Sequence, residues 1–316
     1  MAVSRYCKSN KIAHETITVG AALSLADQDS RVPPPTLHFL KVPDATDDES
    51  SATLLYFHGG GFVNPLRGAA HMPFIMRCAA ACRAKQVIIL EYALAPEHPY
   101  PAQLVQSVVT VRYLLEEMRL RPENLILAGD SAGGQLVGAL FAHLVQPSPY
   151  APPLQVNGQF RAALFVSPFV RLPTDDSSYE SNDGRDYLNR QQVDGFSAAW
   201  KGKQDEIWAN LCGVETSDEV WSKVFARGSQ GLVHKVLITV GTAEIFLSCC
   251  REFAKKHARA ETVVVAPDTD RSALEGKDMV LAECEGEVHV QVALDSVVGY
   301  GKGLMERAIM LWLALV

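Results

Sequence analysis

Gly129-Asp130-Ser131-Ala132-Gly133-Gly134 is the stretch on which the reading of this chain turns. It follows Asn124-Leu125-Ile126-Leu127-Ala128, an apolar run short and sharply bounded enough to be a buried strand. It precedes the run Gln135 to Leu144, which reads as a helix packed on a sheet. Strand, glycine turn, serine and helix in that order match a nucleophile elbow of the G-x-S-x-G type. The requirement is steric: the serine occupies a cramped backbone geometry, so positions 129 and 133 tolerate almost no side chain. In that geometry the hydroxyl leaves the sheet edge, and the helix N-terminus presents N–H groups to a developing negative charge. The competing reading is a glycine-rich turn carrying an incidental serine, and the rest of the chain has to decide between them.

The second marked stretch lies upstream. Thr53-Leu54-Leu55-Tyr56-Phe57 is rich in strand formers and stops abruptly at His58-Gly59-Gly60-Gly61-Phe62. Three successive glycines carry a large entropic penalty that a structural turn seldom requires. A loop whose N–H groups must approach a ligand oxygen does require them, as in the H-G-G-G oxyanion loop that accompanies such an elbow.

Around these motifs, strands and helices alternate. The patterning predicts strands at 15–19, 36–42, 86–92, 162–166 and 236–240, and helices near 71–83, 102–119, 246–258, 290–299 and 302–315. Residues 1–13 read as a frayed lead-in, 44–51 as an acidic loop, and 175–186 as a polar, acidic, mobile stretch. Thr262-Val263-Val264-Val265 and Met279-Val280-Leu281-Ala282 compete for the last strand; the second is favoured because it runs directly into Glu285-Gly286-Glu287-Val288-His289. Thr216-Ser217-Asp218-Glu219 has the form of a capping box. Three of the four tryptophans fall in 200–221, either as a small local core or as part of a lid. The alternation implies an α/β fold: a mostly parallel sheet covered on both faces, formed by one domain over 1–316.

Composition narrows the function. The 316 residues carry a net charge of -7, which leaves no basic field for nucleic acid or anionic membrane. The first ten residues lack the apolar core of a secretory signal and no span reaches membrane length, so a cytoplasmic protein is expected. Seven cysteines, an odd number, suggest neither a disulfide frame nor a zinc site, and Cys78 and Cys82 read as buried helix residues. No metal is expected.

In a parallel sheet the reactive groups sit beyond the C-terminal strand ends. There the chain offers the 58–62 loop, Ser131, Glu244 and His289, in the order Ser…Glu…His. A serine hydroxyl needs a base as it attacks, and His289 can serve near neutral pH. Glu244 would hold the imidazole tautomer and stabilise its cation, with Asp268, Asp270 and Asp295 as rival acids. Gly60, Gly61 and Ala132 supply candidate oxyanion donors. His58, Gly59 and Asp130 read as bracing residues.

These residues resemble the hormone-sensitive-lipase-like branch of the α/β-hydrolases. His58 to Phe62 and Gly129 to Gly134 resemble its two signatures, and Tyr92-Ala93-Leu94-Ala95-Pro96-Glu97-His98-Pro99-Tyr100-Pro101-Ala102 is similar to the segment between them. Val240 to Glu244 and Glu287 to His289 look like the acid and histidine positions of fungal members, many of them tied to secondary metabolism. The resemblance implies an eight-stranded α/β-hydrolase sheet, a small helical cap at about 172–231 with a contribution from 1–35, and hydrolysis of carboxylic esters of small to medium acyl groups without a cofactor. Three departures stand out: a short N-terminal region, Ala93 where arginine is common, and Glu in place of the commoner Asp. The leading expectation is a serine esterase acting through an acyl-enzyme. The runner-up is a tailoring enzyme that cleaves a thioester or lactone, or drives a cyclisation, at the same site. A ligand receptor on this scaffold, like the gibberellin receptors, is disfavoured by the presence of His289. The sequence leaves a homodimer open.

Overall fold

The computed structural model describes residues 2–20, 23–24, 31–43, 45 and 51–316. In chain order the strands are β1 (His14–Thr18), β2 (Leu23–Ser24), β3 (Arg31–Val32), β4 (Thr36–Lys41), β5 (Thr53–Phe57), β6 (Gln86–Glu91), β7 (Leu125–Asp130), β8 (Phe160–Val166), β9 (Val233–Gly241), β10 (Glu261–Val265) and β11 (Met279–Cys284). The helices are α1 (Ala2–Ser9), α2 (Gly68–Ala81), α3 (Ala102–Glu116), α4 (Ala132–Val145), α5 (Ser178–Ser181), α6 (Arg190–Trp200), α7 (Ser217–Val224), α8 (Leu247–Glu252), α9 (Gln291–Val298) and α10 (Leu304–Leu313).

Nine strands form the main sheet in the order β1-β4-β6-β5-β7-β8-β9-β11-β10, and β2 pairs with β3 separately. From β6 to β10 every pairing is parallel; β4 runs antiparallel to both β6 and β1. The sheet therefore has nine strands where eight were expected, because both rivals for the last position are strands. Glu261–Val265 lies parallel beside Met279–Cys284 at the edge. Its half-exposed pattern, with Val264 open to solvent, is that of an edge strand covered on one side.

The central strands are buried throughout and read as continuous apolar runs for that reason. Along β5, Leu55 and Phe57 enter the core on one side of the sheet, and Leu54 and Tyr56 the core on the other. Each such side chain removed from water contributes about 1.5–3 kcal/mol. Residues 2–9 are helical, with Val3 and Cys7 buried on the α2 side of the sheet, so the lead-in is packed rather than frayed. The acidic loop expected at 44–51 lies, apart from Ala45 and Ser51, outside the described residues, as does most of 21–30 in the N-terminal segment.

Thr216 makes no side-chain cap, so the box expected there does not form. A capping box forms instead at α6, where Asn189 and Gln192 exchange hydrogen bonds of 3.0 Å. The tryptophans divide. Trp221 stacks on Phe225 in the α7 core, while Trp200, at the end of α6, stacks on Phe62 of the glycine loop at 4.5 Å.

The loops that leave β5, β7, β8, β9 and β11 all emerge at one edge, because these five strands are adjacent and parallel. The tightest contact at that edge is Gly133 of α4 against the Phe57 carbonyl, which a Cβ would overlap. Gly133→Ala is expected to lower stability by about 3 kcal/mol through backbone displacement. Gly195→Ala, in an open helical position with nothing within 4 Å, is expected to raise it by up to about 1 kcal/mol. Urea denaturation of the two variants measures both.

Candidate active site

Ser131 sits between β7 and α4 with φ 51° and ψ -116°, a strained left-side conformation for a residue with a Cβ. Its backbone is held from both ends. The N–H donates to Val166 O at 2.8 Å, and the carbonyl accepts from Phe169 and Gln135 N–H at 3.0 Å each. Ala132 begins α4, so its N–H belongs to the unpaired first turn and lies at the positive end of the helix dipole.

The glycine loop reaches the same place from β5. Gly60 and Gly61 have φ of 122° and 64°, values that glycine adopts without strain. Gly60 O accepts from Val63 and Asn64 N–H, which turns the loop back on itself. Among the described residues, the N–H groups of Gly60 and Gly61 donate to no protein acceptor.

Asp130, beside Ser131, is tied into the scaffold. It accepts from the Tyr56 hydroxyl at 2.7 Å and the Gly59 N–H at 3.0 Å, and lies 3.4 Å from His71 Nε2. Burial pushes its carboxyl up, but the charge of His71 and these hydrogen bonds outweigh that and leave it below the ordinary aspartate value. His58 is stacked on Tyr92 at 4.2 Å and bonded through Nδ1 to Gly59 O. Burial, helped by the charge of His71, lowers its pKa to about 4, so it is a neutral brace.

His289 and Glu244 come from the ends of β11 and β9. The ring Nδ1 lies 3.2 Å from Glu244 Oε2, and both side chains are buried. The other carboxylate oxygen accepts from the Ser167 hydroxyl at 2.8 Å and from the Gly241 N–H. Burial alone would depress the His289 pKa; the hydrogen bond and charge of Glu244, with Asp186 and Asp130 adding to the field, leave it raised. Phe246 meets the ring edge-on at 4.8 Å. The rival acids are elsewhere: Asp270 caps Ser272, and Asp295 binds Gln291.

A cavity of about 460 Å³ opens on this edge. Ser131, Ala132, Gly59, Gly60, Gly61, Asp130 and His289 all line it; Glu244 stands behind His289, and His58 lies below the loop outside it. No hydrogen bond joins the Ser131 hydroxyl to His289 in this structure, and in unliganded sites such bonds commonly close only on the substrate complex. The remaining wall is largely apolar, including Phe169, Val193, Phe196, Trp200 and Phe246.

Three groups at the site escaped the sequence reading. Ser167, at the end of β8 with φ 45°, also accepts from Val290 N–H at 3.1 Å and so ties the histidine loop to the acid. His71 lies on α2 against Asp130, where an alanine-rich helix gave no hint of a polar role. Asp186 belongs to the stretch read as mobile. Its carboxylate accepts from Ile245 N–H at 2.9 Å and His289 N–H at 3.2 Å. Asn182 of the same stretch donates to Glu244 O at 2.7 Å, and Ser178 to Ile245 O at 2.6 Å. The stretch is therefore pinned to the acid loop, not free; its polar residues are spent on backbone groups that only the folded chain brings near.

The profile of the alpha/beta hydrolase fold family matches residues 54–271, and the chain belongs to that family. It is 29% identical over 219 residues to an esterase of Acinetobacter venetianus, covering 68% of this chain and 65% of that protein. It is 32% identical over 195 residues to carboxylesterase NlhH of Mycobacterium tuberculosis, covering 60% of this chain and 55% of the relative. The chain thus spans less than two thirds of the length of these relatives. Among solved structures it resembles carboxyl esterase 2 of the mycorrhizal fungus Tuber melanosporum, with a TM-score of 0.72 at 17% identity over 96% of this chain and 86% of that one. It also resembles an esterase of the bacterial hormone-sensitive lipase family, with a TM-score of 0.68 at 24% identity over 96% and 84%. At those identities the likeness is one of fold.

Among the described residues no helix is long and apolar enough to cross a membrane. All seven cysteines are buried free thiols.

Asp186→Ala leaves the Ile245 and His289 N–H groups without their acceptor. It is expected to lower unfolding free energy by about 1–3 kcal/mol, read from the urea midpoint at constant slope.

Proposed function

We propose that this chain is a serine carboxylic-ester hydrolase of the hormone-sensitive-lipase-like branch, working through Ser131, His289 and Glu244. The observation that carries the reading is a convergence: a strained serine, a Glu-bound histidine and the backbone of Gly60, Gly61 and Ala132 border one cavity. The acid and histidine segments, 240–244 and 287–289, support a fungal-type member.

The Ser131 oxygen attacks the ester carbonyl carbon while His289 Nε2 takes its proton. Glu244, on Nδ1, stabilises the imidazolium that results. The carbonyl oxygen becomes an oxyanion held by the N–H groups of Gly60, Gly61 and Ala132, each worth about 3–4 kcal/mol of barrier. Collapse expels the alcohol, which receives the proton from His289, and leaves an acyl group on Ser131. Water, deprotonated by His289, then attacks the acyl carbon, and the acid leaves with Ser131 restored. Residues 172–231 act as the cap: α6 places Val193, Phe196 and Trp200 over the cavity and excludes water from the charged intermediate.

Ser131→Ala is expected to reduce p-nitrophenyl acetate turnover by at least about 10³-fold, and an organophosphonate to label the wild-type chain at Ser131 and nowhere else. Turnover that survives in the variant overturns the reading. Catalysis needs neutral His289, and its pKa lies above the ordinary 6.5, so kcat/KM should fall as pH drops through a value above 6.5. Asp186→Asn removes a negative charge that favours the imidazolium, so this acid limb should move to lower pH.

A further inference from the structure

Helix α9 begins two residues after His289 and buries Val292, yet much of its polarity is reversed. Its acidic residue, Asp295, is buried at 2% exposure, while Leu294, Val297 and Val298 are exposed at 39%, 59% and 76%. A helix on a protein surface normally turns such residues the other way. Ala293, Leu294 and Val297 share one face of the helix, and together with Val290 just before it they line the cavity that holds Ser131 and His289. Exposure climbs along that line, from 4% at Val290 beside the histidine to 59% at Val297. Tyr187, also at the cavity and exposed, stands near the other side of His289. The apolar strip is therefore continuous with the reaction site and runs outward along α9 for about 6 Å from Ala293 to Val297, at 1.5 Å per helical residue.

Resting on the ester-hydrolase reading above, we propose that this face of α9 is the track for the hydrocarbon part of a medium-chain ester, laid from Ser131 along Leu294 and Val297 toward Val298. The occupant must be apolar, since the exposed strip offers no charge or polar side chain between Leu294 and Val298 other than Ser296 and the buried Asp295. Continuity with the cavity wall favours the substrate's own chain over a second protein. A short acyl group reaches only the buried end at Val290; an extended one covers the exposed residues.

The test compares p-nitrophenyl acetate with p-nitrophenyl octanoate, both kept below micelle-forming concentrations. The wild-type chain is expected to favour octanoate in kcat/KM. In the double variant Leu294→Ser with Val297→Ser, the octanoate-to-acetate ratio should fall at least tenfold, chiefly through KM, since each methylene left in water forfeits about fourfold in binding. Val298→Ser should produce a smaller fall in the same direction, and Val264→Ser, on the far edge strand, none. An unchanged ratio in the double variant, or a parallel loss on both esters, overturns the track while leaving the hydrolase reading intact. A dimer in size-exclusion chromatography that Val298→Glu splits assigns the face to a second copy and also overturns it. A wild-type chain that hydrolyses neither ester removes the hydrolase reading, and this inference with it.

Discussion

The close approach of Gly133 to the Phe57 and His58 carbonyls sets the distance between the serine turn and the glycine loop. The two motifs stand on adjacent strands, β5 and β7, whose register places Phe57 opposite Gly129. A side chain at 133 would push α4 away from β5, and with it the Ala132 N–H away from those of Gly60 and Gly61. Asp130 reinforces the same junction from below by holding Gly59 and Tyr56 together. The N–H groups of the two motifs are thus aligned by backbone contact, which leaves them little freedom to reorganise.

The part of the site that holds Glu244 and His289 is assembled differently. Glu244 and His289 emerge from strands that are themselves neighbours, but their loops are fastened by side chains from elsewhere. Ser167 bonds to the carboxylate of Glu244 and the backbone N–H following His289; Asp186 accepts from the backbone N–H following Glu244 and from that of His289. Buried carboxylates gain stability only when their lone pairs are filled, and this clamp fills those of Glu244 while orienting the imidazole. The Glu in place of the commoner Asp fits here because its longer side chain still meets Nδ1 with the Ser167 and Gly241 donors in place.

Between the two halves lies a cavity whose chemistry is mostly that of hydrocarbon. Phe196 and Trp200 of α6 rest on the glycine loop, against Gly61 and Phe62, so one helix both lines the cavity and touches the backbone of that loop. The shape of the cavity and the position of the glycine loop are consequently coupled through one helix.

The sequence by itself determined the sheet-and-helix alternation, the tight turn at Ser131 and the glycine loop, and it singled out Glu244 and His289, which the fold places 3.2 Å apart; each rests on a local rule. Glycines mark where a Cβ has no room, and apolar runs mark strands covered on both faces. Only the tertiary structure decided that both 261–265 and 279–284 are strands, that residues 2–9 pack, and that the acidic stretch ending at Asp186 is a clamp rather than a loose loop. The inverted face of α9 also became visible only there. Polar residues such as Ser167, Asn182 and Asp186 look like solvent-facing loop residues in one dimension. Their partners include backbone groups more than 50 positions away, and no periodicity or spacing records which distant N–H a carboxylate will meet once the sheet has closed around it.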